Sequence, residues 1–346
     1  MSDADDGDSD VATATPHPRQ TTALFGHTDA EAAILESYRG GRVPHAWLIG
    51  GLSGIGKATL AYRFARFVLA HPDPAAEAVQ TARSLAVAPD HPIARRVAAQ
   101  GHPDLLVLER TIGDTGKLRT VITVDQVRKI VPFFGSTAGE GGWRIVIVDA
   151  VDELNAEGEN ALLKLLEEPP AKSLLLLVTH TPGRVRATLR SRCRRLSLRS
   201  LDVGDVARAA AMALGTSEKE LREAAQAADG SVARAIALRD GDALKFRERV
   251  QALLARLPDV DARALHALGD AMGGADQAAF EGFVDTLNDW MSTRLRFGPQ
   301  DAAHLARVAD AWQRINRAAA DAQEYNLDRK PVIFDAFGAL AEAARG

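Results

Sequence analysis

The chain has 346 residues, of which 46% are hydrophobic but only 5% aromatic, with a net charge of −4 and a single cysteine. That length suits about two or three domains. The slight acidity excludes a bulk polycation, so any nucleic-acid contact must come from a local patch. Lone Cys193 excludes an internal disulfide and a multi-cysteine zinc site.

Residues 1–20 are acidic, small and proline-containing, with nothing to bury, and predict a disordered acidic tail. Ala30 to Tyr38 reads as a helix, and Gly40-Gly41 turns the chain into a buried strand, Ala46-Trp47-Leu48-Ile49. The stretch Gly51-Leu52-Ser53-Gly54-Ile55-Gly56-Lys57-Ala58-Thr59 follows and opens a helix with Leu60, Phe64 and Val68 on one face. Strand, glycine loop, Gly-Lys and helix make a phosphate-binding loop. Gly51, Gly54 and Gly56 let backbone N–H groups approach phosphate oxygens, and Lys57 adds a full charge. One position departs from the motif. The residue after the lysine should carry a hydroxyl for Mg²⁺, but it is Ala58. Thr59 arrives one step late, rotated by about 100°.

Pro72 and Pro74 stop that helix, and residues 73–103 read as an irregular or weakly helical insertion. Leu105 to Leu108 is the second strand, and Arg110 to Arg119 a polar loop or hairpin tip. Thr123 and Gln126 form a capping box leading a helix that kinks or ends near Pro132. After a turn-rich loop over Gly135 to Gly142, Ile145 to Val148 is a strand ending in Asp149. A helix capped at Asn155 or a neighbour runs to Pro169-Pro170, and Leu174 to Val178 is the next strand. A helix near Pro182 to Leu189 and a strand from Arg194 to Leu198 complete the alternation. This order predicts an α/β domain with a largely parallel sheet. Its ligand site should lie at the strands' carboxyl ends, where Gly51, Asp149 and Thr179 fall. From about 201 the signals are helical only, with breaks at Gly215, Gly230, Pro258, Gly273-Gly274 and Gly298-Pro299. Trp290, Leu295, Trp312, Ile315, Phe334 and Phe337 supply the bulky core there. No apolar run is long enough to cross a bilayer and no leader pattern opens the chain, so a soluble cytoplasmic protein is expected.

Asp149 ends an apolar strand beside the loop and is the candidate second Mg²⁺ anchor. In hydrolysing proteins of this type a glutamate follows it, but here Ala150 does. Asp152 and Glu153 read as solvated or capping carboxylates in preference to a relocated base. The missing hydroxyl and the missing base together predict a degenerate ATPase site. Ser191-Arg192-Cys193 lies in a basic run of Arg184, Arg186, Arg190, Arg192, Arg194, Arg195 and Arg199. Most of these read as a solvated face, and one or two as a DNA-phosphate patch. An arginine held out here could also reach a phosphate bound by a neighbouring subunit. Thr179 could offer its hydroxyl to a γ-phosphate, or be a plain turn residue.

The stretches HPDLLVLER (102–110), VDELNAEGENALLKLLEEPP (151–170), LLLVTHTPGRVRATLRSRCRRL (175–196) and NLDRKPVIFDAF (326–337) resemble bacterial clamp-loader subunits of the AAA+ class, delta-prime subunits of DNA polymerase III most of all. The resemblance implies a RecA-like AAA+ P-loop domain with a parallel sheet (21–200), a small helical lid (201–241) and an all-α collar that oligomerises (242–346). It implies a non-motor subunit of a hetero-pentameric ring, alongside motor and delta-type subunits. That ring uses ATP to open the sliding clamp and load it on primed DNA. The chain itself would not polymerise DNA, although it belongs to a polymerase (nucleotidyltransferase) holoenzyme. Arg192 would be an arginine finger acting in trans, and Thr179 occupies the sensor-one position. Gly230 to Arg234 resembles the sensor-two segment, with its arginine offset by one. ATP or ADP, with Mg²⁺, is the ligand the loop would hold, at Gly51, Gly54, Gly56, Lys57, Thr59, Asp149 and Thr179. Many family members carry a four-cysteine zinc module, but residues 70–105 contain no cysteine, so no zinc is expected. Three alternatives stay open: a self-sufficient AAA+ ATPase, a nucleotide-free scaffold, and a regulator outside replication on the same fold.

Overall fold

The computed structural model describes residues 16–113, 119, 121–135, 139, 142–183, 185–239, 241–273, 277–298, 301–325 and 327–345. Most of the expected acidic tail, Arg184 and parts of the loops expected at 110–119 and 135–142 lie outside them. The first compact unit runs to Ile236 and the second from Ala237.

In chain order the first unit contains α1 (Thr28–Arg39), β1 (Ala46–Gly50), α2 (Lys57–Ala70), α3 (Glu77–Gln80), α4 (Pro92–Ala98) and β2 (Leu105–Glu109). Next come α5 (Val124–Arg128), α6 (Ile130–Gly135), β3 (Arg144–Asp149), a 3₁₀ turn (Val151–Glu153), α7 (Ala156–Glu167) and β4 (Ser173–Thr179). It closes with α8 (Ala187–Arg190), β5 (Arg194–Ser197), α9 (Val203–Leu214), α10 (Glu218–Ala227) and α11 (Val232–Ala237), whose last residue opens the second unit. The strands form one sheet in the order β2-β3-β4-β1-β5, every pair parallel. Successive residues of a strand face opposite sides. Trp47, Ile49, Ile145, Ile147, Leu174 and Leu176 therefore pack against α1 and α2. Leu48, Val146, Val148, Leu175 and Leu177 pack on the other side with Val127, Leu162 and Leu166. Helices on both faces explain why β1 to β4 are apolar runs rather than alternating ones, while the edge strand β5, Arg194-Arg195-Leu196-Ser197, is largely exposed. Leu201, Val206, Leu221 and Ile236 make a separate small core within α9–α11. This is a parallel α/β sheet with a P-loop after β1, followed in the chain by helices.

One local expectation is corrected and two are sharpened. The helix expected near Pro182 to Leu189 shrinks to the four residues of α8. Pro182 is held in a turn over β1, so close that a Cβ on Gly50 would lie 2.6 Å from its Cγ. Arg186 then stays extended, and the helix starts only after it. The helix led by Thr123 breaks at Lys129, three residues ahead of Pro132. A proline clashes with the carbonyl four residues back, here Arg128, so its break falls upstream. Residues 73–103 are irregular and weakly helical as expected, with α3 and α4 only four and seven residues long, but they are not peripheral. Val79, Leu85, Ile93 and Val97 are buried in the same core as α2. Glu31 holds the segment down by accepting Leu85 N–H at 2.8 Å and Arg63 Nε at 2.6 Å.

The second unit holds α12 (Gly241–Ala255), α13 (Ala262–Gly273), α14 (Gln277–Phe297), α15 (Ala302–Glu324) and α16 (Arg329–Arg345). Phe280, Phe283, Leu287, Met291, Ile315, Phe337 and Leu340 fill its core, with Trp290, Leu295 and Trp312 packed against it. Arg247, 5% exposed, donates to Thr286 Oγ1 at 2.9 Å. No helix among the described residues is long and apolar enough to cross a membrane.

Candidate functional site

The glycine loop leaves the carboxyl end of β1 and runs into the first turn of α2. Gly54 sits at φ +73°, where a side chain is strained. Its carbonyl accepts the Val232 N–H at 2.9 Å, so the first turn of α11 is tied to the loop. A Cβ there would meet Ser231 Oγ and come within 2.7 Å of Ala233 Cβ. On the other side the buried His27 donates from Nε2 to Ile55 O at 2.7 Å. Lys57 is 3% exposed, and its ammonium donates to Gly51 O at 2.9 Å and to Leu52 O. Burial brings it down to about 8, against the pull of Asp149 and Asp152.

Asp149 ends β3 as expected, and burial raises its pKa although Lys57 opposes this. Asp152 is not merely solvated. It is exposed, but its carboxylate accepts Thr179 Oγ1 at 2.8 Å, Thr181 Oγ1 at 2.8 Å and the His180 N–H. Thr179 itself is fully buried, with its hydroxyl committed to that bond. His180 is pushed down to about 4 by burial first and then by Lys57, while Asp152 pulls it up. Glu153 pairs with Arg110 at 3.1 Å, yet burial outweighs that guanidinium and pushes it up to about 7. Sequence reasoning missed Asp152 as the knot between the 3₁₀ turn and β4. Nothing local distinguishes a surface aspartate from one that three donors will reach.

A cavity of about 530 Å³ opens here, lined by Gly54 to Thr59, Asp149 and His180, with Phe25, Met212 and Ile236 on its apolar side. The loop, the α2 N-terminus and the apolar wall fit the phosphates and base of a nucleotide. Gly54, Gly56, Lys57 and Thr59 would hold it, with Lys57 exchanging its two carbonyls for phosphate oxygens. The donor set fits magnesium poorly: Ala58 has no oxygen to offer beside Asp149. Among the described residues no three histidine, cysteine or carboxylate groups converge to hold a metal.

Arg192 lies at the other end of the sheet. β5 pairs with β1 from Trp47↔Arg194 to Gly50↔Ser197, and Arg192 precedes β5 while the glycine loop follows β1. Four strand residues put about 13 Å of sheet between them. The Arg192 guanidinium rests on Glu167 Oε1 at 2.7 Å and Thr188 O at 2.8 Å. Arg186 pairs with Glu159 at 2.9 Å, while Arg190, Arg194 and Arg195 line an open cleft with Ser191 and Ser197. Arg234 turns toward its own helix turn, at 3.3 Å from Ala228 O and 3.5 Å from Asp229.

A family model described as DNA polymerase III, delta subunit, matches residues 26–202, from the segment before α1 through the sheet to Asp202. The DNA polymerase III subunit delta' of Pseudomonas aeruginosa is 38% identical over 161 residues, 46% of this chain and 45% of that one. The subunit delta' of Escherichia coli K12 is 32% identical over 229 residues, 66% of this chain and 64% of that one. The subunit gamma/tau of Mycobacterium tuberculosis is 27% identical over 334 residues, 90% of this chain and 53% of that one. The chain thus spans less than two thirds of the length of each of these relatives. The match to half of the chain takes in the glycine loop, Asp149 and Arg192 together, and the chain belongs to the DNA polymerase III delta subunit family.

Proposed function

We propose that this chain is a non-motor, delta-prime-type subunit of the clamp loader of the DNA polymerase III holoenzyme. It helps place the sliding clamp on primed DNA, and it supplies Arg192 to the ATP held by a neighbouring motor subunit. The observation that carries this reading is the position of Arg192 at the amino end of the sheet, about 13 Å of strand away from its own glycine loop. A guanidinium there has no route to a nucleotide of its own chain. Presented to a neighbour, it would stabilise the charge that develops on the transferred phosphoryl group. Ala58 and Ala150, at the places of a magnesium ligand and a catalytic base, support a site that does not hydrolyse ATP by itself. In this reading α9–α11 act as the lid and the second unit as the collar that joins the ring. A motor in its own right is the second reading, favoured by the retained Lys57, Asp149 and cavity.

The test is ATP hydrolysis by the purified chain alone and then with its motor subunits, wild type against Arg192→Ala. We expect silence alone and, in the mixture, a loss of about 10³-fold at the affected site on substitution. Equal turnover by both mixtures sinks the finger assignment. Robust hydrolysis by the isolated chain makes it a motor.

A further inference from the structure

We propose that Glu167, the last residue of α7, is a positioning residue for Arg192; the inference rests on the trans-acting role given to that arginine above. Glu167 Oε1 receives Arg192 Nη2 at 2.7 Å while Thr188 O receives Nη1 at 2.8 Å. A guanidinium has five N–H donors in a rigid fork. Two are used here, and three remain for an anion, so the carboxylate and a phosphate can be held together. The pair does little for stability. The two side chains are 35% and 51% exposed, and exposed ion pairs contribute only about 0–1 kcal/mol. The carboxylate also screens the charge that a phosphate would feel. A contact that neither stabilises the fold nor strengthens the field has geometry left to act on. A free arginine carries about 2 kcal/mol of rotamer entropy, and a misplacement of about 1 Å at a reacting centre costs about 10²-fold. Glu167 removes that freedom before a neighbour's phosphate arrives.

The same helix holds the segment at its other end. Glu159 pairs with Arg186 at 2.9 Å, and Asn160 Oδ1 accepts from Arg186 at 3.3 Å. The two glutamates lie eight residues apart on α7, about 12 Å along its axis. The turn through α8 to Arg192 is thus pinned to one rigid element at both ends. Arg190, Arg194 and Arg195 nearby form no ion pair among the described residues, so the pinning is selective.

The test uses the reconstituted loader with Glu167→Ala, Glu167→Gln, Arg192→Ala and the Glu167→Ala/Arg192→Ala pair in this chain. Glu167→Ala should lower kcat about 10-fold with the KM for ATP unchanged. Glu167→Gln, whose amide oxygen still accepts, should recover much of it. In the Arg192→Ala background Glu167→Ala should cost nothing more. If Arg192→Ala abolishes the stimulated rate while Glu167→Ala matches wild type, the positioning role is wrong and the finger stands. The positioning role is equally wrong if the two losses multiply. If Arg192→Ala itself leaves turnover unchanged, both fall.

Discussion

At the scale of single residues, Gly54 carries three demands at once. Its φ is +73°, its carbonyl holds the Val232 N–H, and a methyl group would press on Ser231 Oγ and Ala233 Cβ. We expect Gly54→Ala to cost about 1–3 kcal/mol, from left-handed strain and overpacking together. In a unit of this size that lowers Tm by roughly 2–12 °C, read by scanning calorimetry. An unchanged Tm would mean that α11 can withdraw from the loop. Lys57 shows a different tension. A buried ammonium needs acceptors, and its own loop supplies two of them.

Among elements, α7 anchors the segment that leads to Arg192. Asn155 caps it, its side chain accepting the Gly158 N–H at 2.8 Å, and the helix then carries Glu159 and Glu167. Asn155→Ala should cost about 1 kcal/mol. Urea unfolding should show a lower midpoint with the same slope, and a lower slope would point to a changed denatured state instead. The cap, the capping box at Thr123 and Gln126, and all five strands were legible in the sequence, each strand end to within one residue. They are local or doubly buried features, written in side-chain order. What was not legible depends on distant partners. Pro182 reads as a helix start until Gly50 beneath it is seen. That the weakly helical residues 73–103 join the core shows only once Glu31 and the core of α2 are placed beside them. Asp152 escapes a sequence reading for the same reason, since Thr179 and Thr181 are more than 25 residues away. The glycine loop, Lys57, Asp149 and Arg192 were legible as candidates. That the last of these lies at the opposite end of the sheet follows only from the strand register.

For the whole molecule, two half-buried groups near Asp152 set opposing pH dependences. His180 titrates near 4 in the fold and near 6.5 when unfolded, so the unfolded chain binds the extra proton between those values. Its contribution is present above 6.5 and is lost as pH falls toward 4. Glu153 titrates near 7 in the fold and 4.5 unfolded, so the fold binds the extra proton. Its contribution is full below 4.5 and is lost as pH rises through 7. Each slope is at most about 1.4 kcal/mol per pH unit, and between 4.5 and 6.5 they oppose each other. We expect His180→Gln to leave a stability that falls more steeply with rising pH than wild type does. Glu153→Gln should leave one that rises more steeply. Denaturant titrations across this window decide it, and profiles parallel to wild type would show that neither group titrates with folding.

All five strands run the same way, so the sheet has a head and a tail. The glycine loop marks one and Arg192 the other. A twofold axis would set like ends together, whereas joining unlike ends gives a row or ring with a direction. On the trans-acting reading such a body resembles a hook-and-eye link. Here the hook is whole, and the eye lacks the hydroxyl at residue 58 and the carboxylate at residue 150. On that reading a link of this kind would take a terminal place: it could fasten to the next one, but would close the succession behind itself.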